Sequence, residues 1–318
     1  MTGASSGIGR AVAHRLAARG ARVVLLARSA ETLEKVAREC DDRGGHGLAV
    51  PTDVTDQVAL RAAVAQVLDT FGRIDVWVGA AAVWSYGRFE DTPDAVFRQV
   101  VETTLLAQVA AARTVLPTFR AQGTGVLVHV ASVYGVLSSP YVTPYVTAKW
   151  GLVGFTHALR HELRDAPGIA VVGVLPGAVD TPVYAHAANR VGREIRPLPP
   201  VTSPERVARA VVRAVDRGRS ATVVVGRTQY LGVWVQRLAP RLYDRLVGPV
   251  VSSLTLRRGR VPVHDGTVFA PDPPSNAVRD GWRAHDRRSA GVAAAVLGVT
   301  GAAVTALAGR RTSRRGRA

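Results

Sequence analysis

Thr2-Gly3-Ala4-Ser5-Ser6-Gly7-Ile8-Gly9 opens the chain, and Arg10-Ala11-Val12-Ala13-His14-Arg15-Leu16-Ala17 follows at once with apolar residues at helical spacing. Glycines at 3, 7 and 9 let a backbone turn tightly and approach a pyrophosphate, whose charge the N-terminus of a following helix favours. The helix is in place. The strand that should lead into the turn is not, because only Met1 precedes Thr2. On its own such a turn is weak evidence, and a plain glycine-rich N-terminal loop is the lesser alternative.

Working outward, apolar runs alternate with helical-period segments as far as about residue 226. Strands are expected over Ala21–Ala27, Gly47–Pro51, Asp75–Ala80, Gly125–Ala131, Ile169–Leu175 and Ala221–Val225. Helices are expected near 7–19, 30–41, 56–71, 93–120, 144–164 and 204–217, the last opened by Thr202-Ser203-Pro204-Glu205. Such alternation predicts an α/β fold, a doubly wound parallel (Rossmann-like) sheet with right-handed crossovers. Residues 1–226 read as this dinucleotide-binding domain, 227–289 as a helical and then loop-like extension, and 290–318 as an apolar helix with a basic tail. Within 229–256, Leu231, Val235, Leu238, Leu242 and Leu246 suggest one or two amphipathic helices. Residues 259–281, with Pro271, Pro273 and Pro274, read as loop.

The end of the second strand selects the nucleotide. An acidic residue there would bind the ribose hydroxyls of NAD, whereas an arginine suits a 2′-phosphate. Ala27 stands in the acid's place and Arg28 follows, so NADP(H) is expected over NAD. Asp53, in Thr52-Asp53-Val54, ends the next strand within reach of an adenine; it could equally cap the helix starting near Asp56.

Ser132 follows the strand Gly125–Ala131, and Tyr145 and Lys149 lie four residues apart on the first turns of the next predicted helix, sharing one face. A phenol with an ordinary pKa of about 10 is a poor acid or base at neutral pH. A neighbouring ammonium is expected to stabilise the phenolate and lower that pKa, and a serine hydroxyl can hold a substrate oxygen. Tyr-x-x-x-Lys alone is common by chance. In this chain, however, 41 residues are Lys or Arg and only Lys35 and Lys149 are lysines, which singles out the one inside the motif.

Taken together, Thr2–Gly9, Asp53-Val54, Ser132, Tyr145-x-x-x-Lys149 and Pro176-Gly177-Ala178-Val179-Asp180-Thr181-Pro182 resemble the classical short-chain dehydrogenase/reductase family, in order and spacing, across residues 1–226. The resemblance implies an oxidoreductase moving hydride between NADP(H) and a small-molecule alcohol or carbonyl, working as a homo-oligomer. It implies that Ser132 orients the substrate, that Tyr145 is the general acid/base, and that Lys149 tunes the tyrosine and holds the ribose. It assigns the cofactor to Gly3, Ser5, Ser6, Gly7, Ile8, Gly9, Arg28, Asp53, Val54, Ala80, Tyr145, Lys149, Pro176, Gly177, Val179 and Thr181. The chain departs from the family at several points. Gly79-Ala80-Ala81-Ala82 replaces Asn-Asn-Ala-Gly after the fourth strand, and Thr104 replaces the asparagine of a water-linked proton relay. These two departures also suit a nucleotide-binding pseudoenzyme or scaffold of the same fold. In the family the missing first strand lies between the second and the fourth, so the natural chain is expected to begin about eight residues earlier, one strand's length. The roughly ninety residues beyond 226 resemble a bacterial subgroup with long C-terminal extensions.

Composition narrows the remaining classes. The net charge of +17 invites a nucleic-acid reading. Nine of the arginines, however, fall after residue 274, the rest form no basic block, and no nucleic-acid-binding motif occurs, so none is expected to bind. The single cysteine, Cys40, excludes an internal disulfide, and no secretory leader is visible, which points to the cytoplasm. His129, His157 and His161 do not make a metal set. Trp84, Tyr86, Tyr134, Leu137, Tyr141 and Tyr184 are expected to wall an apolar substrate pocket. Ala290 to Gly309 carries no charge and has arginines on both flanks; it reads equally as a membrane-contacting helix or as one docked on protein.

Overall fold

The alternation of apolar runs becomes a parallel sheet in the computed structural model, which describes residues 1–283. In chain order the elements are α1 Gly7–Ala17, β1 Arg22–Ala27, α2 Ala30–Asp41, β2 His46–Pro51, α3 Gln57–Phe71, β3 Val76–Gly79, β4 Ser85–Tyr86, α4 Asp94–Val101 and α5 Ala107–Gln122. There follow β5 Gly125–Val130, α6 Thr143–Glu162, β6 Ile169–Pro176, β7 Ala188–Asn189, β8 Arg193–Ile195, α7 Pro204–Arg217, β9 Ala221–Val225, α8 Arg227–Leu238, α9 Pro240–Thr255 and β10 Leu256–Arg260.

Local chemistry sets several of these boundaries. Ser29 accepts the N–H of Thr32 at the start of α2, Asp56 accepts those of Val58 and Ala59 at the start of α3, and Ser203 accepts that of Arg206 before Pro204 opens α7. The carboxylate of Asp56, not that of Asp53, therefore caps α3. Asp53 instead takes the backbone N–H and hydroxyl of Thr55.

The strands run β3-β5-β6-β9 in one sheet and β1-β2 in a second, all pairs parallel. Between β1 and β3, where a complete first strand would lie, Met1 and Thr2 join the two sheets: Thr2 bridges both Leu26 and Gly79. Its N–H reaches the Val78 carbonyl at 2.9 Å, Leu26 donates to the Met1 carbonyl at 2.9 Å, and the Met1 ammonium donates to the Val24 carbonyl at 2.7 Å.

The sheet is covered on both faces, as doubly wound sheets must be. On one side Val12, Leu33, Val36, Val207 and Val211 from α1, α2 and α7 pack on Val23, Leu25, Val78, Val128 and Val172. On the other, Leu60, Val64, Val115, Phe119 and Leu159 from α3, α5 and α6 pack on Leu26, Trp77, Leu127 and Val171. All eight residues of β6, the strand between β5 and β9, are buried, which is why it reads as an unbroken apolar run.

The chain also departs from the expected elements. The long helix expected over 93–120 is interrupted at Glu102–Leu106 by a π-turn, where the hydroxyl of buried Thr104 both accepts from the Val83 N–H and lies in reach of its carbonyl, at 3.2 Å each. β4 pairs with β7, and β8 antiparallel with β10; strands of two to five residues leave no period to read. In α8 the expected apolar stripe faces inward only in part: Val235 packs on the cluster of Val133, Leu137 and buried Val233, but Leu231 and Leu238 are 52% and 63% exposed. Among the described residues no helix is long and apolar enough to cross a membrane. The apolar segment 290–309 and the tail after it lie outside the described residues.

Candidate active site

Strand ends deliver the site. Ser132 follows β5 with extended backbone, and its hydroxyl accepts the N–H of Tyr134 at 3.1 Å, which fixes the side chain at the turn. Pro144 in the first turn of α6 places Tyr145 directly after it and Lys149 one turn on. Lys149 is 2% exposed; its Nζ donates to the Val130 carbonyl at 2.8 Å and lies 5.4 Å from the centre of the Tyr145 ring. Trp84 and Tyr134 flank the same ring at centroid distances of 5.5 and 6.4 Å.

The electrostatics run against the expectation that Lys149 would lower the tyrosine pKa. Burial pushes the Tyr145 phenol well above its ordinary value, and the hydrogen bond with Ser132 opposes that only in part. Burial also pulls Lys149 down to about 7. Desolvation therefore governs the phenol. Tyr145 is held as a neutral O–H, a proton donor.

At the other end of the cleft the glycines are there for space. A Cβ on Gly9 would stand 2.0 Å from the Gly3 carbonyl oxygen, and one on Gly3, whose φ is +65°, would meet the Ala80–Ala81 backbone at 2.6–2.8 Å. The turn thus seats α1 with its N-terminus facing the cleft. Gly3, Ser5, Ser6, Gly7, Ile8, Gly9, Arg28, Asp53, Val54, Ala80, Ser132, Tyr145, Lys149, Pro176, Gly177, Val179 and Thr181 all line this one cleft. It is long enough to run from a helix N-terminus to a hydroxyl–phenol–amine cluster, with a bare backbone cradle between. That arrangement fits a dinucleotide: phosphates at α1 and the reactive ring beside Tyr145.

Of the expected aromatic wall, Trp84, Tyr86, Tyr134, Leu137 and Tyr184 line the cleft, and Tyr141 stands behind, stacked on Tyr86 at 5.7 Å. Arg28 is on the rim, with Nη2 donating to the Thr267 carbonyl at 2.7 Å and Nη1 to those of Phe269 at 3.0 Å and Val268 at 3.4 Å. Among the described residues no group of three His, Cys, Asp or Glu side chains could hold a metal ion.

Sequence reasoning missed two contributors. Gln108, buried on α5, fills the space beside Gly79, where a Cβ would lie 1.9 Å from its Oε1, and its Nε2 donates to the Ala81 carbonyl at 3.0 Å. It steadies the Gly79–Ala82 stretch from the adjoining helix, in place of side chains on the stretch itself. The pairing of a strand-end glycine with a glutamine on the neighbouring helix is the signal that could have shown it. The second contributor is the C-terminal extension, from which Gln229, Thr255, Thr267, Asp272 and Asn276 enter the cleft.

With this geometry in hand, comparison with known proteins is specific. The family model for short chain dehydrogenase matches residues 1–191. An oxidoreductase of Bacillus subtilis known as YxnA is 30% identical over 262 residues, 79% of this chain and 71% of that protein. Among solved structures, an alcohol dehydrogenase from the archaeon Thermococcus sibiricus complexed with 5-hydroxy-NADP superposes with a TM-score of 0.61 at 27% identity, covering 71% of this chain and 94% of the other. An actinorhodin polyketide ketoreductase variant with NADPH gives a TM-score of 0.66 at 30% identity and the same coverage.

Proposed function

Because the chain belongs to the short-chain dehydrogenase family, we propose that this oxidoreductase transfers hydride between NADP(H) and an alcohol or carbonyl substrate, with Ser132, Tyr145 and Lys149 as its catalytic residues. The observation that carries the reading is the meeting of those three side chains in the same cleft as the N-terminus of α1. When bound, the nicotinamide supplies or takes up the hydride. The protein's own part is to place a substrate oxygen and move its proton. The Ser132 hydroxyl holds that oxygen, and Tyr145, kept protonated by burial, donates to it in the reducing direction. Lys149, anchored on the Val130 carbonyl, can donate from its remaining N–H groups to a ribose hydroxyl in the same cleft. The walls of Trp84, Tyr86, Tyr134 and Tyr184 favour an apolar carbonyl compound. Thr104 bonds the Val83 backbone and Gln108 the Ala81 carbonyl, so the stretch that lacks the family's asparagines is still held in place, which favours a working enzyme over a nucleotide-binding scaffold.

Ala27 and Arg28 support NADP(H), as do the NADP-type ligands of the two compared structures. The three carbonyls that hold Arg28 leave its charge in place and fix its plane at the rim. Arg28→Ala should lower the NADPH-to-NADH ratio of kcat/KM by about tenfold, the loss of one charge-assisted contact. Equal use of NADH by the unaltered protein would show that Arg28 selects nothing. Turnover of NADPH with a panel of steroids, long-chain aldehydes and quinones tests the whole reading. Nucleotide binding without turnover of any of them would return the scaffold reading to first place.

A further inference from the structure

We propose that residues 267–283 form a strap that closes over the bound nucleotide, and that Asp180 is the catch that holds it shut. The proposal rests on the nucleotide reading above and adds to it the part of the chain that governs release.

The strap can be followed bond by bond along the cleft. It leaves the fold at His264, whose backbone pairs with Asn189 in both directions at 2.8 and 3.2 Å. Its first stretch gives Arg28 the carbonyls of Thr267, Val268 and Phe269, while the Val268 side chain is buried. Next, Asp272 and Asn276 face into the cleft, and Asn276 Nδ2 donates to the Thr32 hydroxyl at 3.3 Å. Arg10, itself paired with Glu39, donates to the Asn276 carbonyl at 3.1 Å, and the N–H of Gly7, the first residue of α1, donates to the Ala277 carbonyl at 2.9 Å. The last stretch ends on Asp180, which is 2% exposed. Its carboxylate accepts the backbone N–H groups of Trp282 at 2.8 Å, Asp280 at 3.2 Å and Arg283 at 3.5 Å.

The strap therefore begins at the Arg28 rim, crosses the end of α1 and is fastened beside Thr181, spanning both ends of the cleft assigned to the nucleotide. A dinucleotide seated there would lie beneath it, with the Arg28 end barred from solvent until the strap lifts. What holds the strap is mostly hydrogen bonds to its own backbone, with Val268, Val278 and Trp282 as its packed apolar side chains. A segment with few buried apolar contacts opens more easily than the core, so it can lift without unfolding the sheet. The buried carboxylate of Asp180 gathers three of those bonds at the far end of the strap, as the Arg28 guanidinium does at its start, and charge-assisted hydrogen bonds are the strong ones. Asp180 is thus a positioning residue, acting on the nucleotide through the strap.

The test uses the full-length protein. NADPH is loaded, excess NADP⁺ is mixed in, and the decay of NADPH fluorescence gives the dissociation rate. Asp180→Asn and, separately, Trp282→Ala, which removes the indole packed on Tyr184 at 6.1 Å, should each speed dissociation by about tenfold or more. In the unaltered protein, amide hydrogen exchange across 276–283 should slow when NADPH is added. If NADPH and NADH both fail to bind, the nucleotide reading falls and takes the strap with it. If NADPH binds but its dissociation stays within twofold in the folded variants, and exchange across 276–283 ignores the nucleotide, the strap alone is overturned. Should Asp180→Asn fail to fold, Trp282→Ala and the exchange measurement still decide.

Discussion

Tyr145→Phe is expected to lower turnover by roughly 10²–10⁴, the range for losing a positioned general acid. The ring stays in place between Trp84 and Tyr134, so packing and NADPH binding should survive, and only the proton donor is removed. The loss should fall on kcat and on kcat/KM alike, as it does when a group acts only in the transition state. Turnover within a few-fold of the unaltered enzyme would mean that the proton comes from elsewhere. The raised phenol pKa adds a directional corollary: carbonyl reduction, which needs the protonated form, should hold its rate well into the alkaline range.

The second large effect concerns Lys149 and stability. In the nucleotide-free folded protein this amine titrates near 7, against 10.5 for an ordinary lysine. Below pH 7 both states carry the proton, and folding bears the full cost of burying an ammonium. Between 7 and 10.5 the unfolded chain holds a proton that the folded one has released, so the free energy of unfolding rises with pH across that window. From pH 7 to 9.5 this one group should add on the order of 3 kcal/mol. Lys149→Met keeps the apolar stem, removes the titration, and should abolish that rise while inactivating the enzyme. Urea melts of both proteins at the two pH values check it, since the difference between them cancels every other titrating group. Parallel pH dependences would show that the Lys149 ammonium is not penalised by burial.

What could be read from the sequence follows the physics of each feature. Strand runs such as Ile169–Leu175 were legible because burial on both faces demands an unbroken apolar string. The glycines at 3, 7 and 9 were legible because only glycine fits where a Cβ would strike backbone. Ser132, Tyr145 and Lys149 were legible as a set because β5 and α6 adjoin in sequence and bring them together locally. The direction of the Tyr145 shift was not, because the burial that sets it comes from Trp84, Tyr134 and Tyr184, far apart along the chain. Gln108 escaped because its partner, Gly79, offers only an empty volume. The strap escaped for a more general reason. Its contacts to Arg28, Arg10 and Gly7 run through backbone carbonyls, which every residue has, over separations that reach 266 residues for Arg10 and Asn276 and more for Gly7 and Ala277. Leu231 and Leu238 show the converse error: leucines at helical spacing imply a buried face only when something lies opposite them.

The scarcity of lysine leaves the folded protein with an unusual chemical surface. The chain has two lysines. Lys149 is buried in the cleft. Lys35 is exposed on α2. Acylating dyes and amine-reactive resins therefore find a single open lysine on the native fold. A fluorophore introduced this way sits at one known position on every molecule, and a surface coupled through it holds every copy in the same orientation.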